Sequence, residues 1–412
     1  MGFKKVFKSI LFRVPTKIRY RIFRSLIHLS YKELNDFEFK IAETKEELEQ
    51  AFQLLYRAYT KTKLQEPNPY KMRVTIYHAL PTTTTLVIKR KDKVVGTLSL
   101  IADNVMGLPC EKATSLKKFR DEGLRLAEVS ALAIDDEYKG MLLFPLLKFM
   151  YEYVSEFFGI DILIATITTP KNVHQLYEAL LSFKPISDKE VNDYSFSNFV
   201  PVVVEYLDLR EAKSIFWNLY NAKKNSLNLF YYFVKHRFKS FNFPKRDYFL
   251  LDDPVMNKEL FDYFFNHRSQ ILTKLTDLER AKLKQALHPS YFDSKIINFN
   301  ERKSKTARRS EIRYNVKCKA KFNHSQERFE VLNVSKEGLK IKANEFLPVN
   351  TSLTCRILIA EFEVIELTCT TKWNFDEKLY GLKIENSNHP HWLKFINHIE
   401  NKTWNKNERR AA

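Results

Sequence analysis

The sequence predicts an α+β chain in two parts: a mixed α/β sheet domain with a helical extension, then a small antiparallel β-barrel. Three observations carry this reading. Between residues 37 and 209, β-rich runs alternate with amphipathic helical ones, as a helix-covered mixed sheet requires. Between Ile312 and Ile384, short runs of alternating apolar and polar residues follow one another at barrel spacing. The stretch ERKSKTARR (301–309) separates the two and reads as a basic linker.

In chain order, residues 1–32 come first. Lys4, Lys5, Lys8, Arg13, Lys17, Arg19, Arg21 and Arg24 all precede the first acid, Glu33. Phe3, Phe7, Ile10, Leu11 and Val14 recur at helical spacing, and Ile18, Ile22, Leu26 and Leu29 do so after Pro15. Two basic amphipathic helices of this kind suit the anionic inner face of a membrane; the alternative is that their apolar face packs on the protein itself. Residues 33–210 form the sheet domain. FKIAET (39–44) reads as a strand, EELEQAFQLLYRAYT as a helix with early acids, and TLVIKRKDKVVGTLSLIAD (85–103) as a hairpin. LAEVSALAI (126–134) is a strand, PLLKFMYEYVSEFFG a helix, DILIATIT (161–168) a strand, VHQLYEALLSF a helix and FVPVVVEYLDL a closing strand. Residues 211–300 are helical and aromatic-rich, an extension or a lid, and 310–402 hold the barrel with one terminal helix, HPHWLKFINHIEN.

Composition excludes several classes. A net charge of +19 points to an anionic partner such as a nucleotide, a lipid surface or an acidic protein. Cys110, Cys318, Cys355 and Cys369 lack metal-ligand spacing, so neither a metal site nor a disulfide framework is expected, and a reducing cytoplasm is the default. No apolar run reaches the roughly 18 residues a membrane span needs, and there is no secretory cleavage pattern. Nucleic acid is not the expected partner, because aromatic and basic residues do not interleave on a recognised surface.

Two short fragments carry the chemistry of the C-terminal part. RRSEIR (308–313) puts three arginines where the linker enters the barrel, and NVSKEG (333–338) follows between two apolar runs. Guanidinium is always charged, bonds two acceptors at once and stacks on aromatic planes. The N7/O6 edge of guanine is its favoured bidentate target. Asn333 and Ser335 offer short hydrogen-bonding groups, and Gly338 permits a positive φ or a close approach to the backbone. The order R-x-x-x-R, then N-x-S-x-x-G ahead of a barrel strand, resembles the PilZ domain, a bacterial receptor for cyclic di-GMP. The resemblance implies that Arg309 and Arg313 grip guanine and phosphate, that Arg308 stacks on a second base, that Asn333 and Ser335 bond a guanine edge, and that Gly338 shapes the loop.

In the sheet domain, GTLSLIADNVMGLP, LAEVSALAID and TPKNVHQLYEALLSFKPI, with EPNPYKMR and ALPTTTTLVI upstream, resemble the N-acyl amino acid synthases of the FeeM type on the GNAT fold. Such enzymes move a long acyl chain from the phosphopantetheine of an acyl carrier protein to an amine. The chemistry needs a base for the amine, donors for the oxyanion and a proton for the departing thiolate. The resemblance implies Glu128 as base, Ser130 beside it, Tyr177 as the thiolate's proton donor, and Arg73 and Asp103 at the amine or carboxylate end of the pocket. A plainer reading of Glu128 is a strand carboxylate paired with Arg125 or Arg73. In EYKGMLLF (137–144), Gly140 keeps one small position of the coenzyme A pyrophosphate loop, whereas Leu142 is expected to crowd it, favouring a carrier-protein donor. The whole then reads as an N-acyltransferase regulated by cyclic di-GMP. The alternative is a non-catalytic receptor that keeps the acyltransferase fold as an interaction surface.

Overall fold

The computed structural model describes residues 14–170, 172–187, 189–287, 311–325 and 327–404. Arg308, Arg309 and residues 1–13 of the basic segment therefore lie outside the described residues.

The first helix, α1 (Thr16–Leu26), starts directly after Pro15, as the φ restriction of proline favours. The helix lies against the protein through the Tyr20 hydroxyl, which donates to Glu178, and Ile27 and Leu29 just beyond it enter the main core, whereas its own Ile18 and Leu26 stay exposed. Strand β1 (Glu38–Ile41) leads to α2 (Lys45–Lys61), which opens with a capping box between Thr44 and Glu47. A hairpin of β2 (Thr83–Arg90) and β3 (Lys93–Ala102) follows, then the short α3 (Lys117–Asp121) and β4 (Leu126–Ile134). Helix α4 (Lys139–Glu152) and β5 (Ile162–Thr168) come next, with α5 (His174–Leu176) running on into a π turn, Tyr177–Leu181. Strands β6 (Lys184–Pro185) and β7 (Val202–Asp208) complete a seven-stranded sheet of order β1-β2-β3-β4-β5-β7-β6. Only the β4–β5 pair is parallel; the rest are antiparallel.

Each face of the sheet carries its own apolar core, and the aromatic segment after β7 closes both. Phe216 and Tyr220 of α6 (Leu209–Tyr220), with Tyr232 and Phe233, bury against the α4 face. Phe261, beginning the turns after α7 (Lys258–Phe261), with Phe264 and Phe265, buries against the α2 face, where Phe264 meets Phe52 edge-on at 5.2 Å. Leu283 of α8 (Asp277–Ala286) joins them. Residues 209–287 thus belong to both cores of the sheet domain.

The C-terminal part is the expected barrel. Strands β8 (Tyr314–Phe322), β9 (Arg328–Ser335), β10 (Gly338–Lys342), β11 (Ser352–Ala360), β12 (Glu363–Phe375) and β13 (Leu379–Ile384) close in the order β10-β13-β12-β11-β8-β9. Alternation does the work: along β8, Tyr314, Val316, Cys318, Ala320 and Phe322 point inward and the residues between them outward. Helix α9 (Pro390–Trp404) sets Trp392, Phe395 and Ile396 into the barrel core.

Barrel and sheet domain meet along a polar seam. Arg125, just before β4, donates to Glu330 at 2.6 Å and to the carbonyls of Val316 and Val331 at 3.0 and 3.3 Å. The strap 249–252 pairs with β8, and its Asp252 accepts from Asn315. Burial pushes the Asp252 carboxyl up to about 7, against the pull of those bonds. Gly123, at φ 69, lets the chain turn where a Cβ would strike Leu379. Because Arg125 serves three acceptors on the barrel, Arg125→Ala should weaken docking by about 1–3 kcal/mol. Hydrogen exchange over residues 314–335 should then quicken while the sheet core holds; unchanged exchange there would remove the arginine's role at the seam.

Candidate functional site

The parallel ladder between β4 and β5 runs from Leu126–Ile162 to Val129–Ala165 and stops there. The reason lies two residues on: Ala131 sits at φ 56, and the β3–β4 register shifts between Thr97 and Ser99, which is a bulge. The bulge turns β4 away from β5, and a cavity of about 210 Å³ opens between the parted strands. Glu128, Ser130, Tyr177 and Arg73 all line it, so four residues scattered over a hundred positions meet at one place.

Glu128 is buried. One carboxylate oxygen accepts from the Cys110 N–H at 2.7 Å, the other from the Thr166 hydroxyl at 2.9 Å. Burial pushes its pKa up to about 7, although both bonds oppose that shift. Neither arginine of the plainer reading pairs with it. Arg125 is held by the barrel, and Arg73 donates to Gln65 at 3.0 Å and to the Phe196 carbonyl at 2.7 Å, its guanidinium lying 4.2 Å from the Tyr59 ring centroid. Arg73 therefore brings a positive charge to the pocket wall, held there by an amide oxygen, a backbone carbonyl and an aromatic ring. Tyr177 is half-buried, and burial raises its phenol to about 12, so it stays protonated at neutral pH.

Two expected members stand elsewhere. Asp103 lies at the seam, where Arg120 clamps it through two bonds of 2.7 and 2.6 Å; it lines the cavities against the barrel and not the Glu128 pocket. Gly140 is exposed in the first turn of α4, where a Cβ would meet nothing within 4 Å. The expectation for Leu142 is corrected as well. Its side chain is fully buried in the sheet-domain core, so it does not overhang the start of α4 and does not crowd a phosphate there. Conversely, Thr166, Cys110 and Tyr194 belong to the Glu128 environment and were not expected. Thr166 was legible as the polar position of a β5 run that alternates toward the pocket; Tyr194, in an irregular loop, left no periodic signal.

The second cluster sits on the barrel rim. Arg313 donates to the Asn333 side-chain oxygen at 3.0 Å. Asn333 faces Asn315 across the β8–β9 ladder. Ser335 and Gly338 close the two-residue turn between β9 and β10, with the Ser335 hydroxyl 3.5 Å from the Gly338 carbonyl. A Cβ at Gly338 would stand 3.2 Å from the Arg313 guanidinium and 3.2 Å from the Leu382 carbonyl. The glycine thus serves close approach, and its φ is not positive. Arginine, amide and hydroxyl lie on one side of the barrel.

Residues 50–205 match the family model described as N-acyl amino acid synthase FeeM, and residues 303–400 match the PilZ domain. The chain joins a FeeM-like segment to a PilZ-like one. The FeeM match covers most of the seven-stranded sheet, and the PilZ match covers the six-stranded barrel. Among solved structures, FeeM, an N-acyl amino acid synthase from uncultured soil microbes, is 24% identical over 43% of this chain and 93% of its own, with a TM-score of 0.38. The AHL synthase LasI is 16% identical over 42% and 90%, with a TM-score of 0.33. An acetyltransferase of the GNAT family from Streptococcus pneumoniae is 16% identical over 42% and 98%, at 0.30. No curated protein matches the chain.

Proposed function

We propose that the chain is an N-acyltransferase that moves a long acyl group from a carrier thioester to the amine of an amino acid or related compound, and that cyclic di-GMP bound at the barrel rim regulates it. The observation that carries the first half is the buried Glu128 in the gap where β4 and β5 part. A strand edge without a ladder partner presents backbone N–H groups to a thioester carbonyl, the donors an oxyanion needs. Glu128 takes the proton of the attacking amine, the C–N bond forms as the C–S bond breaks, and Tyr177 gives its proton to the departing thiolate. Arg73 suits the carboxylate of an amino-acid acceptor. Ser130 lies beside the reacting groups and bonds the acceptor.

The donor we assign is acyl carrier protein, whose acidic surface complements a chain of net charge +19. The second half rests on Arg313, Asn333, Ser335 and Gly338 gathered at one rim, with Arg308 and Arg309 completing the grip on the dinucleotide. Association of residues 1–32 with an anionic membrane face would hold the enzyme where its lipid-like product belongs. Among described residues no helix is long and apolar enough to cross a membrane.

Purified protein incubated with long-chain acyl carrier protein and pooled amino acids should yield new acyl amides by mass spectrometry. A parallel reaction with acyl-coenzyme A should be slower. No amide with either donor and any acceptor would overturn the enzymatic reading and leave a receptor that uses the fold as a surface.

A further inference from the structure

The acyl-transfer mechanism leaves a buried acid of the sheet domain unused: Glu205 of β7, which is fully buried. Val203 and Leu207 of the same strand belong to the core on the α4 face, so by alternation Glu205 points there too. It stands directly across from Ala165 of β5, a wall residue of the acyl pocket. Tyr177 packs on the same core and lines the same pocket. Among the described residues, no donor meets either Glu205 oxygen.

The groups packed around it favour a neutral acid. Glu178, the residue after Tyr177 on the π turn, sets its charge against Glu205. It is half-buried and accepts the Tyr20 hydroxyl of α1. Arg19, the cation beside Tyr20, is bonded to the Val14 carbonyl and the Thr16 hydroxyl, each at 3.2 Å. Tyr220 of α6 donates to the Leu180 carbonyl at 2.9 Å, and Lys184 of β6 is exposed. A carboxylate without a donor, in an apolar core and beside another acid, is costly. Burial, and then the Glu178 charge, hold Glu205 well above the ordinary carboxylate range, so it keeps its proton at neutral pH.

Tyr177 needs such a neighbour. A phenol raised to about 12 is a weak donor to a thiolate whose thiol ionises at about 8.5, as an ordinary cysteine does. The charge of Glu205 acts on that phenol, so the two groups are electrostatically linked. We propose that Glu205 is the proton reserve behind Tyr177. As the C–S bond breaks, the thiolate takes the Tyr177 proton and the Tyr177 oxygen takes the Glu205 proton. Glu205 is left ionised until solvent restores its proton by way of the half-buried Glu178. One proton moves at each step and no other reactant is needed. Glu205 touches no reacting atom; it is a positioning residue that acts through Tyr177. This rests on the reading of the pocket as an acyltransferase site.

The test uses the full chain with long-chain acyl carrier protein as donor. Glu205→Gln matches the neutral acid in shape and keeps an N–H for Glu178, so the fold should hold while the proton reserve is gone. Its kcat should fall about tenfold with KM unchanged. Placed on top of Tyr177→Phe, the same change should cost less than about twofold, because the residue through which it acts is already missing. In wild type, kcat should fall at alkaline pH, beyond the level stretch that ionised Glu128 leaves, as Glu205 gives up its proton. Glu205→Gln should lack that fall, since Tyr177 stays protonated there. Wild-type kcat in Glu205→Gln, or an equal loss with and without Tyr177, would overturn the reserve and leave Tyr177 acting alone. Should Glu205→Gln fail to fold, wild type decides: a kcat flat at every alkaline pH at which the fold persists overturns the proposal. No acyl amide from wild type would remove the acyltransferase reading itself, and the reserve with it.

Discussion

Glu128→Gln should lower acyl-amide formation about 100-fold or more, the range in which a positioned general base contributes, while the thermal midpoint stays at or above that of wild type. The structure explains why fold and turnover separate. Glutamine keeps an oxygen for the Cys110 N–H and can turn its amide N–H₂ toward the Thr166 hydroxyl, so the two bonds that hold the side chain survive. What it loses is the ability to take a proton. The pH dependence follows with its sign. A base acts ionised, and burial lifts Glu128 from an ordinary 4.5 to about 7, so kcat/KM should rise through pH 7 and then level. For stability the direction is opposite. Between about 4.5 and 7 the folded chain retains a proton that the unfolded chain gives up, so this group's contribution to stability falls as pH rises through that window. Glu128→Gln removes the fall: equal midpoints at pH 4, and a variant as stable or more so at pH 8. A variant with wild-type turnover would end the assignment of Glu128 as base and favour the receptor reading.

How much of this was legible in the sequence depends on the range of the interaction involved. Strands and helices were legible because period-two and period-3.6 patterns are local. The β8 run Tyr314–Phe322 names its inward residues outright. Glu128 was legible as a lone acid in an apolar strand, which is costly unless used. The bulge at Ala131 was not, because nothing in SALAI marks a left-handed alanine; it is imposed by where β3 and β5 lie on either side. Asp103 illustrates the same limit. Its neighbourhood in sequence resembled the acyl pocket, yet Arg120, seventeen positions on, captures it and holds it toward the barrel. Leu142 shows the reverse error: its size was legible, but the direction of its side chain is set by the core that α4 covers.

Arg313→Ala should lower cyclic di-GMP affinity by about 2 kcal/mol or more, roughly thirtyfold, by removing charge-assisted bonds that no neighbour can replace. The rim is built around this side chain. Asn333 orients the guanidinium from one side, and Gly338 leaves the space it occupies on the other. A guanidinium already held needs little ordering when the ligand arrives, so most of its bonding shows as affinity. Arg313→Lys keeps the charge but not the planar fork, and should recover only part of the loss. Gly338→Ala supplies an independent check. Its Cβ would press on the guanidinium and on the Leu382 carbonyl at 3.2 Å, and of the two only the side chain can yield. That variant should displace Arg313 and weaken binding severalfold while the barrel stays folded by circular dichroism. Charge and geometry are then distinguishable by salt. Affinity in Arg313→Ala should depend less on ionic strength than in wild type, because one charge contact is gone, whereas Gly338→Ala should keep the wild-type salt slope at lower affinity. Calorimetry returning wild-type affinity for Arg313→Ala would remove the arginine from the site, and an unchanged Gly338→Ala would show that the space above the glycine is not where the guanidinium works.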